Sequence, residues 1–242
     1  MAKADQPPPI EEQDQIFLID KPLMWTSFDV VKKIKFAGQF KKVGHAGTLD
    51  PLATGLLVVC TGKFTKTIDT IQNATKEYVA QITFGYSTPS FDAETEPSGH
   101  APTDQINVQV INKALCEHFI GTIQQTPPAY SAILIDGQRA YTAARKGKEV
   151  KMKSREISIY NSELMDFFNN VATVKISCSK GTYIRSIAND LGLKLGSLAT
   201  LTGLIRTKIG EYILEDSSTI DKIAQHLCEL RLNTKQPGSN QV

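Results

Sequence analysis

Between Lys41 and Gly55 the chain reads Lys-Lys-Val-Gly-His-Ala-Gly-Thr-Leu-Asp-Pro-Leu-Ala-Thr-Gly, so that three glycines and one proline bracket a single carboxylate, Asp50, and a single imidazole, His45. Glycine admits backbone angles closed to other residues, and Pro51 fixes its own φ while pushing Asp50 out of helical geometry. The run Leu56-Leu57-Val58-Val59-Cys60 follows at once and reads as a short buried strand. A shaped loop anchored on a rigid core element is what this part of the chain must build. Taken alone, such a cluster is an ordinary tight turn feeding a core strand. The remainder of the chain decides between the two readings.

The 242 residues suffice for one large or two small domains, and 41% apolar with 21% charged content is ordinary for a globular chain. No apolar run approaches the roughly 20 residues that span a bilayer, so no membrane association is expected. Residues 1–15 lack the basic-then-apolar order of a secretory signal and read as a flexible leader. Cys60, Cys116, Cys178 and Cys228 show no CxxC pair and are expected as buried, reduced thiols, which favours the cytoplasm. Net charge is only +2, yet residues 32–42 and 138–155 hold 12 of the 27 basic residues and one of the 25 acids. Two basic segments on an otherwise acidic chain favour a surface for a polyanion. In the second segment the candidates are Arg145, Lys146, Lys148, Lys151 and Lys153.

Periodicity supplies the order of elements. Thr26-Ser27 followed by Phe28, Val31 and Ile34, with Gly38 at the far end, predicts a capped helix over 28–37. Phe64, Ile68 and Ile71 suggest a second helix, and Tyr78, Ala80, Ile82 and Phe84 alternate as a half-buried strand. A polar loop over 86–104 precedes a helix carrying Val108, Ile111, Leu115 and Phe119, closed by Gly121. Residues 122–155 read as an excursion from the core. Strands at 156–165 and 171–178 lead through Ser179-Lys180-Gly181 into a helix with Arg185 in its first turn. One or two strands follow over 200–214, then a helix over 217–230 and a polar tail over 231–242. This order lacks a strict βαβ rhythm, and an α+β fold with a mixed sheet fits it best.

Several chemistries fall away on the motifs. Gly55 to Gly62-Lys63 has six intervening residues where a phosphate loop has four, and Phe64 stands where Ser or Thr is needed. Four scattered histidines without HExxH, and no GxSxG or dinucleotide fingerprint, give no sign of metal, acyl-transfer or redox chemistry. What remains is Asp50 in its loop, Tyr78 on a strand, Arg185 at a helix start, and basic surface. That set suits cofactor-free chemistry on a nucleic acid: a carboxylate serves as nucleophile or base, a guanidinium keeps it ionised, and a tyrosine ring offers a flat face to a base.

The sequence resembles the TruB family of pseudouridine synthases. The family loop Gly-His-x-Gly-x-Leu-Asp-Pro-x-Ala-x-Gly-x-Leu matches Gly44 to Leu57, and further matches run in family order: Asp20-Lys21-Pro22 with Thr26-Ser27, Lys76-Glu77-Tyr78, Pro127 to Ala132, Gly137 to Tyr141, and Cys178 to Arg185. The resemblance covers residues 16 to about 216. It implies a pseudouridine synthase fold over 16–230, with a mixed, mostly antiparallel central sheet flanked by helices and an RNA-gripping thumb over about 125–152. It implies isomerisation of the T-loop uridine at position 55 of tRNA. Asp50 would be the nucleophile, Tyr78 would pack on the flipped uracil, and Arg185 would pair with Asp50. Leu204 and Tyr183 would line the substrate site, His45 would contact RNA at the vacated stack, and Lys21 would support the loop. The reaction moves C1′ from N1 to C5 of one base without gain of atoms or loss of electrons, so neither metal nor cofactor is expected. Attack of Asp50 at C1′, attack at C6, and proton removal from C2′ are all compatible with the residues.

In two places the chain departs from the family. Leu23-Met24-Trp25 stands where most members carry a glycine, and the chain ends soon after residue 216, where many members continue into a PUA domain. The expectation is a catalytic domain without PUA, monomeric, with tRNA as partner and no obligate protein partner. A non-catalytic RNA-binding protein on the same scaffold is the alternative reading, and a guide-RNA-dependent synthase is a further one.

Overall fold

The computed structural model describes residues 14–131, 133–135, 137–147 and 150–233. Residues 14–74 form β1 (Ile16–Lys21), α1 (Ser27–Gly38), β2 (Val43–His45), β3 (Ala53–Thr61), and a 3-10 turn Gly62–Thr67 that runs into α2 (Ile68–Asn73). Residues 75–205 carry β4 (Lys76–Phe84), β5 (Tyr86–Ser87), β6 (Gly99–His100), α3 (Val108–His118), β7 (Gly121–Gln125), β8 (Leu134–Ile135), β9 (Gln138–Arg139), α4 (Ala140–Ala144), β10 (Arg155–Phe168), β11 (Val171–Cys178) and α5 (Ile184–Lys194). The chain then passes along β12 (Ala199–Ile209) to β13 (Tyr212–Ile213), β14 (Ser218–Thr219) and α6 (Ile220–Asn233). These elements make two compact units, one from Thr75–Ile205 and the other from the chain on either side.

The terminal unit is built around β3, which is buried along nearly its whole length. Its odd positions, Leu57 and Val59, pack with Ile19, with Val30 and Ile34 of α1, and with Ile220 and Leu227 of α6. Its even positions, Leu56, Val58 and Cys60, pack with Ala46, Ile71 and Ile209. A strand covered on both faces has no polar side to show, which is why its sequence is a continuous apolar run. Strand β1 pairs antiparallel with β3 and parallel with β14, and β2 pairs antiparallel with β3. Helix α1 starts with a full capping box: the Thr26 side chain accepts from Asp29 N–H and the Asp29 carboxylate accepts from Thr26 N–H.

In the central unit β4, β11, β10 and β7 form successive antiparallel pairs. Alternate residues Ala80, Ile82 and Phe84 of β4 and Ala172, Val174 and Ile176 of β11 point into one cluster, closed by Ile111 and Leu115 of α3 and by Ile184, Ile187 and Leu191 of α5. Period two on the strands and period 3.6 on the helices meet there. The mixed, mostly antiparallel sheet with flanking helices agrees with the expected class.

Three details differ from the sequence reading. Helix α3 stops at His118, and Gly121, at φ +91°, begins the edge strand β7 instead of closing the helix. Residues 121–125 therefore belong to the sheet, and the excursion has its neck where Gln125 pairs with Arg155. Cys60 and Cys178 are buried as expected, but Cys116 and Cys228 are exposed. The buried stripes run through Ala114 and Leu115 on α3 and through Ala224 and Leu227 on α6, and the next residue on a helix is turned about 100° away. Finally, α6 continues to Asn233, so the polar tail begins later; residues 234–242 and most of the leader lie outside the described residues. At the leader's end, Gln15 N–H donates to Thr61 Oγ1 at 2.9 Å and Asp14 accepts from Lys63 N–H at 2.6 Å.

Candidate active site

The Asp50 loop leaves β2 and returns as β3, and four side chains or amides outside it hold its backbone. Ser27, first residue of α1, places its hydroxyl against Leu49: Oγ accepts from Leu49 N–H at 2.9 Å and lies 3.2 Å from the Leu49 carbonyl. Met24 N–H donates to the Pro51 carbonyl at 2.8 Å. Asp50 thus sits between two residues that are each tied to the 21–27 segment. Met24 achieves its contact at φ +67°, in the left-handed region that glycine enters freely and most residues avoid.

Lys21 and Arg206 complete the support. Lys21 is fully buried and its ammonium donates to the carbonyls of Pro22 at 2.9 Å and Trp25 at 2.6 Å, with Pro51 at 3.5 Å. Arg206, 1% exposed, donates from Nε to Leu56 at 2.8 Å, from Nη2 to Gly47 at 3.0 Å and from Nη1 to Thr48 at 3.4 Å. Gly47 presents its carbonyl this way at φ +91°. One guanidinium therefore bonds the entrance of the loop and the strand after its exit.

The Asp50 carboxylate and the Arg206 charge both act on the titration of Lys21. Burial pushes Lys21 down to about 8; the nearby Asp50 carboxylate opposes this and the Arg206 charge adds to it. His45 is held below the ordinary imidazole value by burial first, then by the Arg206 charge, against a contribution from the Gly47 carbonyl. Its Nδ1 is buried without a hydrogen-bond partner among the described residues. His45 is thus a neutral ring with one unused polar atom.

In the central unit Tyr78 stands opposite Ile176 across β4 and β11. Tyr78 and Leu204 are both half-buried against the cluster that includes Ile184. Arg185, next along α5, is 4% exposed; its Nη1 donates to Tyr130 at 2.9 Å and Ser90 at 3.3 Å and lies 3.5 Å from the Asp92 carboxylate, itself nearly buried. Tyr183 caps α5: its N–H and carbonyl bond both ends of the Gln125 amide, at 2.8 and 3.0 Å. Its ring lies 4.8 Å from the Arg155 guanidinium and 5.8 Å from that of Arg185.

The expected thumb contains the β8–β9 hairpin and α4. Arg145 forms an ion pair with Glu94 and its guanidinium lies 5.4 Å over the Tyr141 ring, so it is engaged within the protein. Lys146, Lys151 and Lys153 are exposed, while Lys148 lies outside the described residues. Sequence reasoning passed over Arg206 and Asp92. A charge at a strand position preceded by Leu204 and Ile205 was the available signal for Arg206, and Lys208 on the same strand made it ambiguous. Asp92 sits in a polar loop and gave none.

The described residues contain no cluster of three side chains suited to a metal ion and no helix long and apolar enough to cross a membrane. Comparison with known proteins gives the kinship. The TruB family pseudouridylate synthase (N terminal domain) pattern matches residues 33–184. The tRNA pseudouridine synthase B of Phocaeicola vulgatus is 46% identical over 222 residues, covering 89% of this chain and 94% of that protein. Its counterpart in Parabacteroides distasonis is 48% identical over 219 residues, covering 88% and 93%. Among solved structures, a chain of a Cbf5-Nop10-Gar1 complex superimposes with a TM-score of 0.69 at 26% identity over 93% of this chain, which spans 61% of that one. With the family pattern matched over residues 33–184 and 46% identity across most of both chains, the chain belongs to the TruB family of pseudouridylate synthases.

Proposed function

We propose that this protein isomerises a uridine of tRNA, that of the T loop at position 55, to pseudouridine, with Asp50 as the reacting carboxylate. The observation that carries the reading is the double anchoring of Leu49 and Pro51 on either side of Asp50, in a chain nearly half identical to two proteins named tRNA pseudouridine synthase B. A carboxylate that must meet one atom of a mobile sugar gains rate from being held in place. In the reaction the bond from C1′ to N1 breaks, the uracil turns, C1′ bonds C5, and the proton on C5 leaves to solvent while N1 gains one.

The uracil must first leave its stack, which costs a few kcal/mol and less in a loop than in a duplex. Tyr78 and Leu204 would offer the extruded base an aromatic and an aliphatic wall, and Arg185 a guanidinium for the reacting centre. His45, its protonation disfavoured by burial, would meet RNA as a neutral ring instead of as a charged partner for a phosphate. Lys21 would act on the loop. Lys146, Lys148, Lys151 and Lys153 would contact phosphates, and Arg145 would join them once released from Glu94. Tritium release from tRNA labelled at uridine C5 tests the reading. Wild-type protein releases one tritium per tRNA, and Asp50→Asn binds the tRNA with near-normal Kd and releases none. Release undiminished in Asp50→Asn overturns the assignment of the carboxylate.

A further inference from the structure

The outer face of α1 places two cationic side chains between two aromatic ones in a way that packing does not explain. Its inner face buries Ser27, Val30, Val31 and Ile34. Opposite them stand Phe28, Lys32, Lys35 and Phe36, at i, i+4, i+7 and i+8, one stripe of a helix. Phe28 is 61% and Phe36 74% exposed, so most of both rings is left available to a partner. Lys32 Nζ lies 5.3 Å from the centroid of the Phe28 ring. Lys33 is turned aside to the Trp25 ring and Asp221. The helix's only acid, Asp29, is committed to the capping box. Past the helix end, Lys41 and Lys42 are exposed as well.

We infer that this face is a second RNA-binding surface, taking the strand that adjoins the target uridine, with bases against Phe28 and Phe36 and phosphates on Lys32 and Lys35. The inference rests on the tRNA reading above and extends it to a surface of its own. Three observations favour a polynucleotide over a protein. The two rings are about 12 Å apart along the axis, separated by a lysine instead of forming one apolar patch. Lysine is depleted from the centres of protein interfaces. Aromatic faces interleaved with cations are also the means by which proteins hold unpaired nucleotides irrespective of sequence. Position supplies the link to the site: residue 27 holds Leu49, so Phe28 stands one residue from an anchor of the Asp50 loop.

The test is filter binding of full-length tRNA across a salt series by Phe28→Ala/Phe36→Ala and by Lys32→Gln/Lys35→Gln, with melting temperature as a check on folding. The aromatic pair is expected to raise Kd about tenfold with little change in salt dependence. The lysine pair is expected to flatten the slope of log Kd against log salt by about 1 to 2. Turnover at saturating tRNA stays at the wild-type rate in both. Should either variant fold poorly, photocrosslinking of 4-thiouridine-substituted tRNA to the wild-type protein reads the same contact, and crosslinked peptides containing Phe28 or Phe36 are expected. Normal turnover with Kd, slope and crosslinks indifferent to this face overturns the surface and leaves the assigned reaction standing. Binding that depends on this face, in a protein that makes no pseudouridine, overturns the reaction and leaves the surface standing.

Discussion

Arg206 Nη2 donates to the Gly47 carbonyl at 3.0 Å while Nε of the same guanidinium donates to Leu56 at 2.8 Å, a bond across 150 positions of sequence. The planar fork is what allows one side chain to serve two segments at fixed spacing. Lysine cannot reproduce it. Arg206→Lys is expected to lose two of the three bonds and leave buried carbonyls unpaired, at about 2–4 kcal/mol, seen as a melting temperature lowered by several degrees. At a temperature where the variant is fully folded, kcat should fall about a hundredfold with KM for tRNA little changed, because the loop is misplaced and the RNA surface is not. Single-turnover tritium release separates the two effects.

A pH dependence follows from Lys21. Its folded value is about 8 against an ordinary 10.5, so between those values the unfolded chain holds a proton that the native protein does not. Stability therefore rises as pH climbs from 8 to 10.5, while below 8 the cost of burying the charge is constant. The ammonium beside Asp50 is lost over the same rise. Single-turnover rates are expected to decline at least tenfold through an apparent pKa near 8 while the melting temperature does not fall. Lys21→Met should start from a lower plateau and lack that decline.

Met24 is expected to yield a stabilising substitution. A methionine at φ +67° costs about 1 kcal/mol that glycine does not, partly offset by glycine's greater freedom in the unfolded chain. Met24→Gly keeps the N–H that bonds Pro51 and should raise the melting temperature by about 1–3 °C without loss of activity. Met24→Pro removes that N–H and should lower kcat. Differential scanning fluorimetry and tritium release check both.

For the thumb, Glu94→Gln releases Arg145. The pair is largely exposed and worth at most about 1 kcal/mol to folding, so stability should hardly change. Binding of tRNA is expected to tighten several-fold, with a salt dependence steeper by about one phosphate contact. Replacing Lys146, Lys151 and Lys153 by glutamine should move both quantities the other way.

Much of this fold could be read from the chain because its elements obey local rules. Thr26-Ser27 marks the start of α1, the alternation through Ala80, Ile82 and Phe84 marks β4, and the unbroken run at Leu56 to Cys60 marks a buried strand. Strand β7 escaped because five residues hold too little alternation to stand apart from a polar excursion. The candidate site divides in the same way. Asp50, Lys21 and Tyr78 lie in motifs whose spacing is contiguous. Arg206 and Asp92 act on carbonyls or on an arginine far away in sequence, and only folding brings those partners within reach.

Ser27 is at once the first residue of α1 and the hydroxyl that grips Leu49. A shift of α1 by half an ångström would stretch that 2.9 Å bond toward the limit of a hydrogen bond, so the helix and the loop are geared together. A change that unseats the first turn of α1 would therefore reach Asp50 without touching it, while a change confined to the helix's outer face would leave the carboxylate where it is.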